Sequence, residues 1–172
     1  MFFDYPDSED YPDSEGQAPP RPATDVFLAS ATDRDWELLL RHCQRRHFAP
    51  AEAVVGPGTT SRSLHLVIDG TLEVLATTKG GGAKGRAGKV RGEGRYQRVT
   101  TIGPGSIFGE LSFFDGDAPS DFVRAVTTAE VAELSPTNFD ALAALEPRLG
   151  RQVLFDLGRL LAERLRWFQT PG

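Results

Sequence analysis

Short strand-like runs, each broken by glycine or proline, fill the middle of this chain and leave it little choice but a β architecture. Glu52 to Val55 runs into Gly56-Pro57-Gly58, a turn. Leu64-His65-Leu66-Val67-Ile68 runs into Asp69-Gly70, which reads as a hairpin signal. Leu72, Val74 and Ala76 then alternate with Thr71, Glu73 and Leu75, as on a strand with one buried face. Further runs stand at Arg98 to Ile102, Phe122 to Val126 and Glu130 to Leu134. Many short strands with Gly/Pro turns point to a closed or sandwich-like β fold.

Helical patterns flank this region. Thr32 is placed to cap a helix, with Asp33 and Asp35 in the first turn where the backbone dipole favours negative charge. Trp36, Leu39, Leu40 and Cys43 recur at helical spacing. Near the other end, Ser135-Pro136 is a capping pair with proline at the first helical position. Phe139, Leu142 and Leu145 mark the buried face expected of that short helix. Pro147 opens a longer one with an apolar stripe of Val153, Leu154, Leu157, Leu160, Leu161, Leu165 and Phe168. Arg148, Arg151, Arg159, Arg164 and Arg166 are expected largely off that stripe.

The chain has 172 residues, 40% of them apolar, room for one ordinary domain and a tail. Its net charge of −5 argues against general affinity for nucleic acid or anionic membrane. A single cysteine excludes an internal disulfide and a Cys-rich metal site, and suits a reducing compartment. Met1-Phe2-Phe3-Asp4-Tyr5 is unlike a secretory leader, and no apolar run reaches membrane-spanning length. A cytoplasmic protein is expected.

Two segments stand apart. Asp4-Tyr5-Pro6-Asp7-Ser8-Glu9 repeats at once as Asp10-Tyr11-Pro12-Asp13-Ser14-Glu15, placing six acids and no base in the first fifteen residues. Residues 1–24 are expected to be an acidic disordered tail, with residues 25–172 forming the domain. A short docking motif offered twice is the alternative for that tail. Residues 79–98 hold seven glycines and seven Lys/Arg against one acid. They are expected to be a basic Gly-rich loop inserted between two strands. They lack the spacing of a phosphate-binding P-loop, because Gly88-Lys89 is followed by Val90 and preceded five residues earlier by Ala83. Attraction between the tail and this loop is conceivable on charge; independent solvation is the simpler expectation.

The most informative phrase is Gly103-Pro104-Gly105-Ser106-Ile107-Phe108-Gly109-Glu110-Leu111-Ser112-Phe113-Phe114, a glycine-rich turn running into a short helical start. Ala118-Pro119-Ser120-Asp121-Phe122-Val123-Arg124-Ala125 then leads into a strand. Backbone N–H groups in a glycine turn can approach an anion. A lone carboxylate such as Glu110 cannot hold a phosphate, but it can accept hydrogen bonds from a sugar hydroxyl.

Residues from about Phe27 to Phe168 resemble a cyclic nucleotide-binding domain, the sensor module of catabolite-activator-type regulators. The resemblance is carried by Leu66-Val67-Ile68-Asp69-Gly70-Thr71-Leu72-Glu73-Val74, Phe108-Gly109-Glu110-Leu111, Val123-Arg124-Ala125 and Glu130-Val131-Ala132-Glu133-Leu134-Ser135. It implies an eight-stranded β-roll, or jelly roll, with a helix before it, a short phosphate-binding helix inside it and two helices after it. It also implies that Gly109 and Glu110 meet the ribose, that the backbone at Leu111 and Ser112 lies near the phosphate, and that Ser120 touches the phosphate. The family's phosphate-pairing arginine is missing. Either Pro119 fills its slot or the turn has lost a residue, and neither Lys nor Arg stands there. Asp121, two residues on, is expected on the same face as Pro119 and adds negative charge. An Arg–phosphate fork makes charge-assisted hydrogen bonds worth about 1.5–3 kcal/mol each. Its loss weakens binding by roughly 10- to 1,000-fold. Arg91, Arg95 or Arg98 of the basic segment are candidates to compensate. Arg124 is expected to face the other way.

Other chemistry finds little footing. His42, His47 and His65 do not form a metal-binding pattern, there is no nucleophile elbow, and Cys43 reads as core. The chain stops before a helix-turn-helix could follow, so no DNA-binding domain is expected. The expectation is a non-enzymatic regulatory or interaction module with a degenerate pocket, no cofactor, and an unknown protein partner or a second copy bound through the C-terminal helix. The alternative is a working cAMP or cGMP sensor whose phosphate charge comes from another basic residue.

Overall fold

A computed structural model describes residues 27–56, 58–77, 96–119 and 122–169. The expectations placed on residues 1–24, on Arg91 and Arg95, and on Ser120 and Asp121 lie outside the described residues.

The chain opens with α1 (Asp33–Arg41). Thr32 caps it as expected: its hydroxyl accepts from the Asp35 N–H, and the Asp35 carboxylate accepts from the Thr32 N–H at 2.9 Å. Eight strands follow: β1 (Gln44–Phe48), β2 (Ala53–Val55), β3 (Leu64–Asp69), β4 (Leu72–Thr77), β5 (Tyr96–Ile102), β6 (Ile107–Phe108), β7 (Phe122–Ala125) and β8 (Ala129–Leu134). The short helix α2 (Glu110–Asp115) sits between β6 and β7, and α3 (Pro136–Leu145) and α4 (Pro147–Gln169) close the fold. The strands form two four-stranded antiparallel sheets, β1-β8-β3-β6 and β2-β7-β4-β5. This is the mainly β roll with flanking helices expected from the sequence.

Two apolar clusters hold it together. One fills the roll between the sheets, around Phe48, Val67, Leu72, Val74, Phe108, Val123 and Val131. The other cements α1, α3 and α4 to the outside of the first sheet, through Leu39, Leu66, Leu134, Leu142, Val153, Leu157 and Leu160.

Several local expectations need correction. Asp69-Gly70 does not close a hairpin: β3 and β4 belong to different sheets, so the turn carries the chain across the roll. The antiparallel neighbours of β4 are β7 and β5, the latter at the other end of the basic segment. β4 is buried on both faces, because Glu73 and Leu75 are covered as fully as Leu72 and Val74. β1 carried no strand signal, since Gln44, Arg45, Arg46 and His47 are all exposed. It forms because β8 offers an open edge and matching charge: Arg45 pairs with Glu130 at 3.0 Å and Arg46 with Glu133 at 3.3 Å. Leu145, at the end of α3, is exposed rather than buried. The apolar stripe of α4 divides in two. Leu149, Val153, Leu157 and Leu160 face the roll; Leu154, Phe155 and Leu165 face outward.

Candidate functional site

The site is built on the join between β6 and α2. Gly109 caps α2 in the left-handed region, φ +79°. A Cβ there would stand 2.7 Å from the Ser63 carbonyl oxygen and 2.8 Å from His65 Nδ1, so only glycine fits. The floor beneath it is His65 of β3, fully buried and stacked on Phe108 with ring centres 4.7 Å apart. Neither ring nitrogen of His65 has a hydrogen-bond partner; Nε2 lies 3.6 Å from Glu133 Oε1. His65, with Arg46 behind it, holds the Glu133 carboxyl below the usual carboxylate range against the effect of burial. α2 is pinned from behind by Phe113, whose ring meets Phe139 of α3 edge-on at 5.6 Å.

Glu110 is the first residue of α2 and is 5% exposed. Its carboxylate accepts a hydrogen bond from Nη1 of Arg164, four turns along α4. Nη2 of the same guanidinium reaches the Ile107 carbonyl at 3.4 Å. Arg164 was expected off the apolar stripe. Its position was nevertheless legible, because it falls seven residues after Leu157 and four after Leu160, on the helix face that packs inward.

Beside Glu110 lies a cavity of about 20 Å³ lined by Val55, Phe108, Gly109, Glu110, Leu111, Ser112, Pro119 and Val123. The structure thus brings together Gly109, Glu110, Leu111, Ser112 and Pro119, five of the residues singled out from the sequence. The space is far below the roughly 300–1,000 Å³ of small-molecule pockets. The contact between Glu110 and Arg164 ties α2 to α4.

Of the cations proposed from the sequence, the two among the described residues, Arg98 and Arg124, sit elsewhere. Arg124 faces away from the cavity, alternating with Val123, and its Nε donates to Glu73 at 2.7 Å on the neighbouring strand. Arg98 is exposed on β5, the strand at the edge of the second sheet, two places from β7. Among the described residues no group of His, Cys, Asp and Glu could hold a metal ion. Cys43 donates its thiol toward the Leu39 carbonyl at 3.3 Å, and burial pushes that thiol up to about 12. His42 rests on the Leu38 carbonyl at 2.8 Å, and His47 is exposed on β1. No helix among the described residues is long and apolar enough to cross a membrane.

The family model of the cyclic nucleotide-binding domain matches residues 45–145, and the chain belongs to that family. Among curated relatives, the cAMP-activated global transcriptional regulator CRP of Haemophilus influenzae is 30% identical over 139 residues, covering 79% of this chain and 54% of the regulator. The catabolite activator protein of Thermus thermophilus superposes with a TM-score of 0.66 at 27% identity, over 83% of this chain and 59% of that one. The global regulator CLP of Xanthomonas campestris, described as responsive to c-di-GMP, gives a TM-score of 0.62 at 25% identity, over 79% and 60%. This chain spans little more than half the length of the curated relatives it matches.

Proposed function

We propose that this chain is a non-enzymatic regulatory module that works in the cytoplasm and whose pocket takes cyclic nucleotides only weakly. The observation that carries the reading is the partner of Glu110. The carboxylate that would accept the ribose hydroxyl already holds Arg164, so a ligand must displace a charged, buried hydrogen bond to gain its own. Pro119 at the cavity wall supports the same conclusion, because it offers a phosphate neither charge nor N–H.

The same contact gives the module a switch. A ligand or partner that takes Glu110 releases Arg164, and with it the outer half of α4. In a two-state equilibrium the occupant shifts the population by its preference for the released state. The output surface in this reading is the outward face of α4, where Leu154, Phe155 and Leu165 are exposed and Gly158 leaves open space. A second copy of the chain is the partner this face suits, since Leu154 and Leu165, eleven residues apart, share one face of the helix and can pack against their own kind.

Calorimetric titration with cAMP and cGMP tests the reading. The wild-type chain should bind no tighter than about 100 μM, and Pro119→Arg should tighten binding by roughly 10- to 1,000-fold. Low-micromolar affinity in the wild type, abolished by Glu110→Ala, would overturn it.

A further inference from the structure

A groove of about 660 Å³ runs along α1, lined by Asp33, Trp36, Glu37, Leu40 and Arg41 and by Arg45 of β1. Trp36 and Leu40 are half-buried and form its apolar part; the four charged residues are exposed. Asp33, Glu37 and Arg41 follow at intervals of four, so they share one face of the helix over about 12 Å. The groove is therefore acidic at one end and basic at the other. Among the described residues, Asp33, Glu37 and Arg41 have no ion-pair or hydrogen-bond partner. Arg45 pairs with Glu130 at 3.0 Å, yet its side chain stays 54% exposed.

The chain itself delivers an occupant to this place. Phe27, the first described residue, is buried and meets the Trp36 ring edge-on, with ring centres 6.3 Å apart. The Leu28 N–H donates to the Asp156 carboxylate of α4 at 2.6 Å, which fixes the point of entry. Residues 1–26 lie upstream. They contain Pro19-Pro20-Arg21-Pro22, and Arg21 is their one base. It stands six residues before Phe27, at most about 22 Å of chain. Beyond Asp25, the segment read back from Phe27 is basic at Arg21 and acidic from Glu15 onward. That order complements the groove, which is acidic at Asp33 and Glu37 and basic at Arg41 and Arg45. Six extended residues cover about 19 Å, enough to bring Glu15 to Arg41 and Arg45 when Arg21 is on Asp33 and Glu37.

We propose that the N-terminal segment of this same chain docks in the α1 groove. Pro19, Pro20 and Pro22 cover Trp36 and Leu40, Arg21 meets Asp33 and Glu37, and Glu15 and Asp13 meet Arg41 and Arg45. Proline has little conformational freedom to lose, which is why aromatic grooves take proline-rich segments. Each exposed ion pair contributes little alone. Attachment at Phe27 offsets this, because a short tether gives the segment a millimolar effective concentration that a segment on another molecule lacks. While docked, it closes this face of α1 to other proteins. The inference is independent of the Glu110 cavity.

The probe is a nitroxide attached at position 16 of the full chain (Gly16→Cys with Cys43→Ser), read by broadening of amide signals. Broadening should concentrate on the amides of Leu40 to Arg45 and should not change on dilution. Arg21→Glu should cut it about threefold, Glu37→Arg by a similar factor, and the two reversals together should restore it. Arg21→Glu touches none of the described residues, so it decides the matter alone should Glu37→Arg disturb α1. Mixing a spin-labelled chain with an isotope-labelled one that carries no nitroxide separates the copies. Broadening of α1 in the second chain would put the segment on another copy and overturn docking within one chain. Broadening spread evenly over the domain would leave the groove to a different molecule and overturn the proposal, as would broadening that survives both single reversals.

Discussion

Two buried glutamates in this molecule each hold an arginine, and the fold treats them differently. Glu73 and Arg124 are direct partners in the β4–β7 register, so the sheet itself brings them together. Their pairing is as permanent as the strands. Glu110 and Arg164 belong to a six-residue helix and to the outer half of α4, elements joined chiefly by that contact and by packing through α3. The first pair closes the outside of the roll over a charge that would otherwise be stranded. The second bridges two separate elements, α2 and α4. The same chemistry is therefore structural in one place and a latch in the other.

The largest expected effect is on global stability. Arg124→Ala strands the Glu73 carboxylate, 9% exposed, in a sheet with no replacement partner. Removing one member of a buried pair costs about 3–5 kcal/mol, and the partial exposure of Arg124 reduces this to roughly 2–3 kcal/mol. Denaturant unfolding should show the whole loss in one cooperative transition. Arg164→Ala strands Glu110, which is 5% exposed and whose partner is less exposed than Arg124, so it should cost at least as much, roughly 3–4 kcal/mol. Its distinct signature is local: faster amide exchange over the last described turns of α4. Ligands with a sugar hydroxyl should bind it severalfold more tightly, because no arginine has to leave. Faster exchange over the same turns in Arg124→Ala would erase the distinction between latch and structural pair.

The contrast also shows what the sequence could and could not disclose. The apolar runs of β3 and β4 and the capped helix starts at Thr32 and Ser135 were legible because short-range chemistry specifies them. β1 was not, since its stability comes from cross-strand charge with β8, some 85 residues away. The crossing at Asp69-Gly70 was misjudged because a two-residue turn looks alike whether it joins neighbours in one sheet or passes between sheets. At the site, Gly109 and Glu110 stood out from their motif. Arg164 did not, although the period of the buried α4 stripe pointed to it. Its role depends on where α4 crosses α2, and that is a tertiary fact.

The smallest expected effect concerns acid. The Asp35 carboxyl is held below its ordinary range by the Thr32 N–H, then the Thr32 hydroxyl, with Arg148 adding to it. Glu133 is lowered by His65 and Arg46. Both groups bind a proton less readily in the folded chain than in the unfolded one. Their contribution is complete above the unfolded carboxyl range, near pH 4, and is lost as pH falls through the lower folded values. The melting temperature should therefore hold between pH 7 and 5 and decline below about pH 4. Asp35→Asn keeps an oxygen for the Thr32 cap but removes the titrating group, so its acid decline should be shallower than that of the wild type. An equally steep decline in Asp35→Asn would mean that other carboxylates set the acid limit.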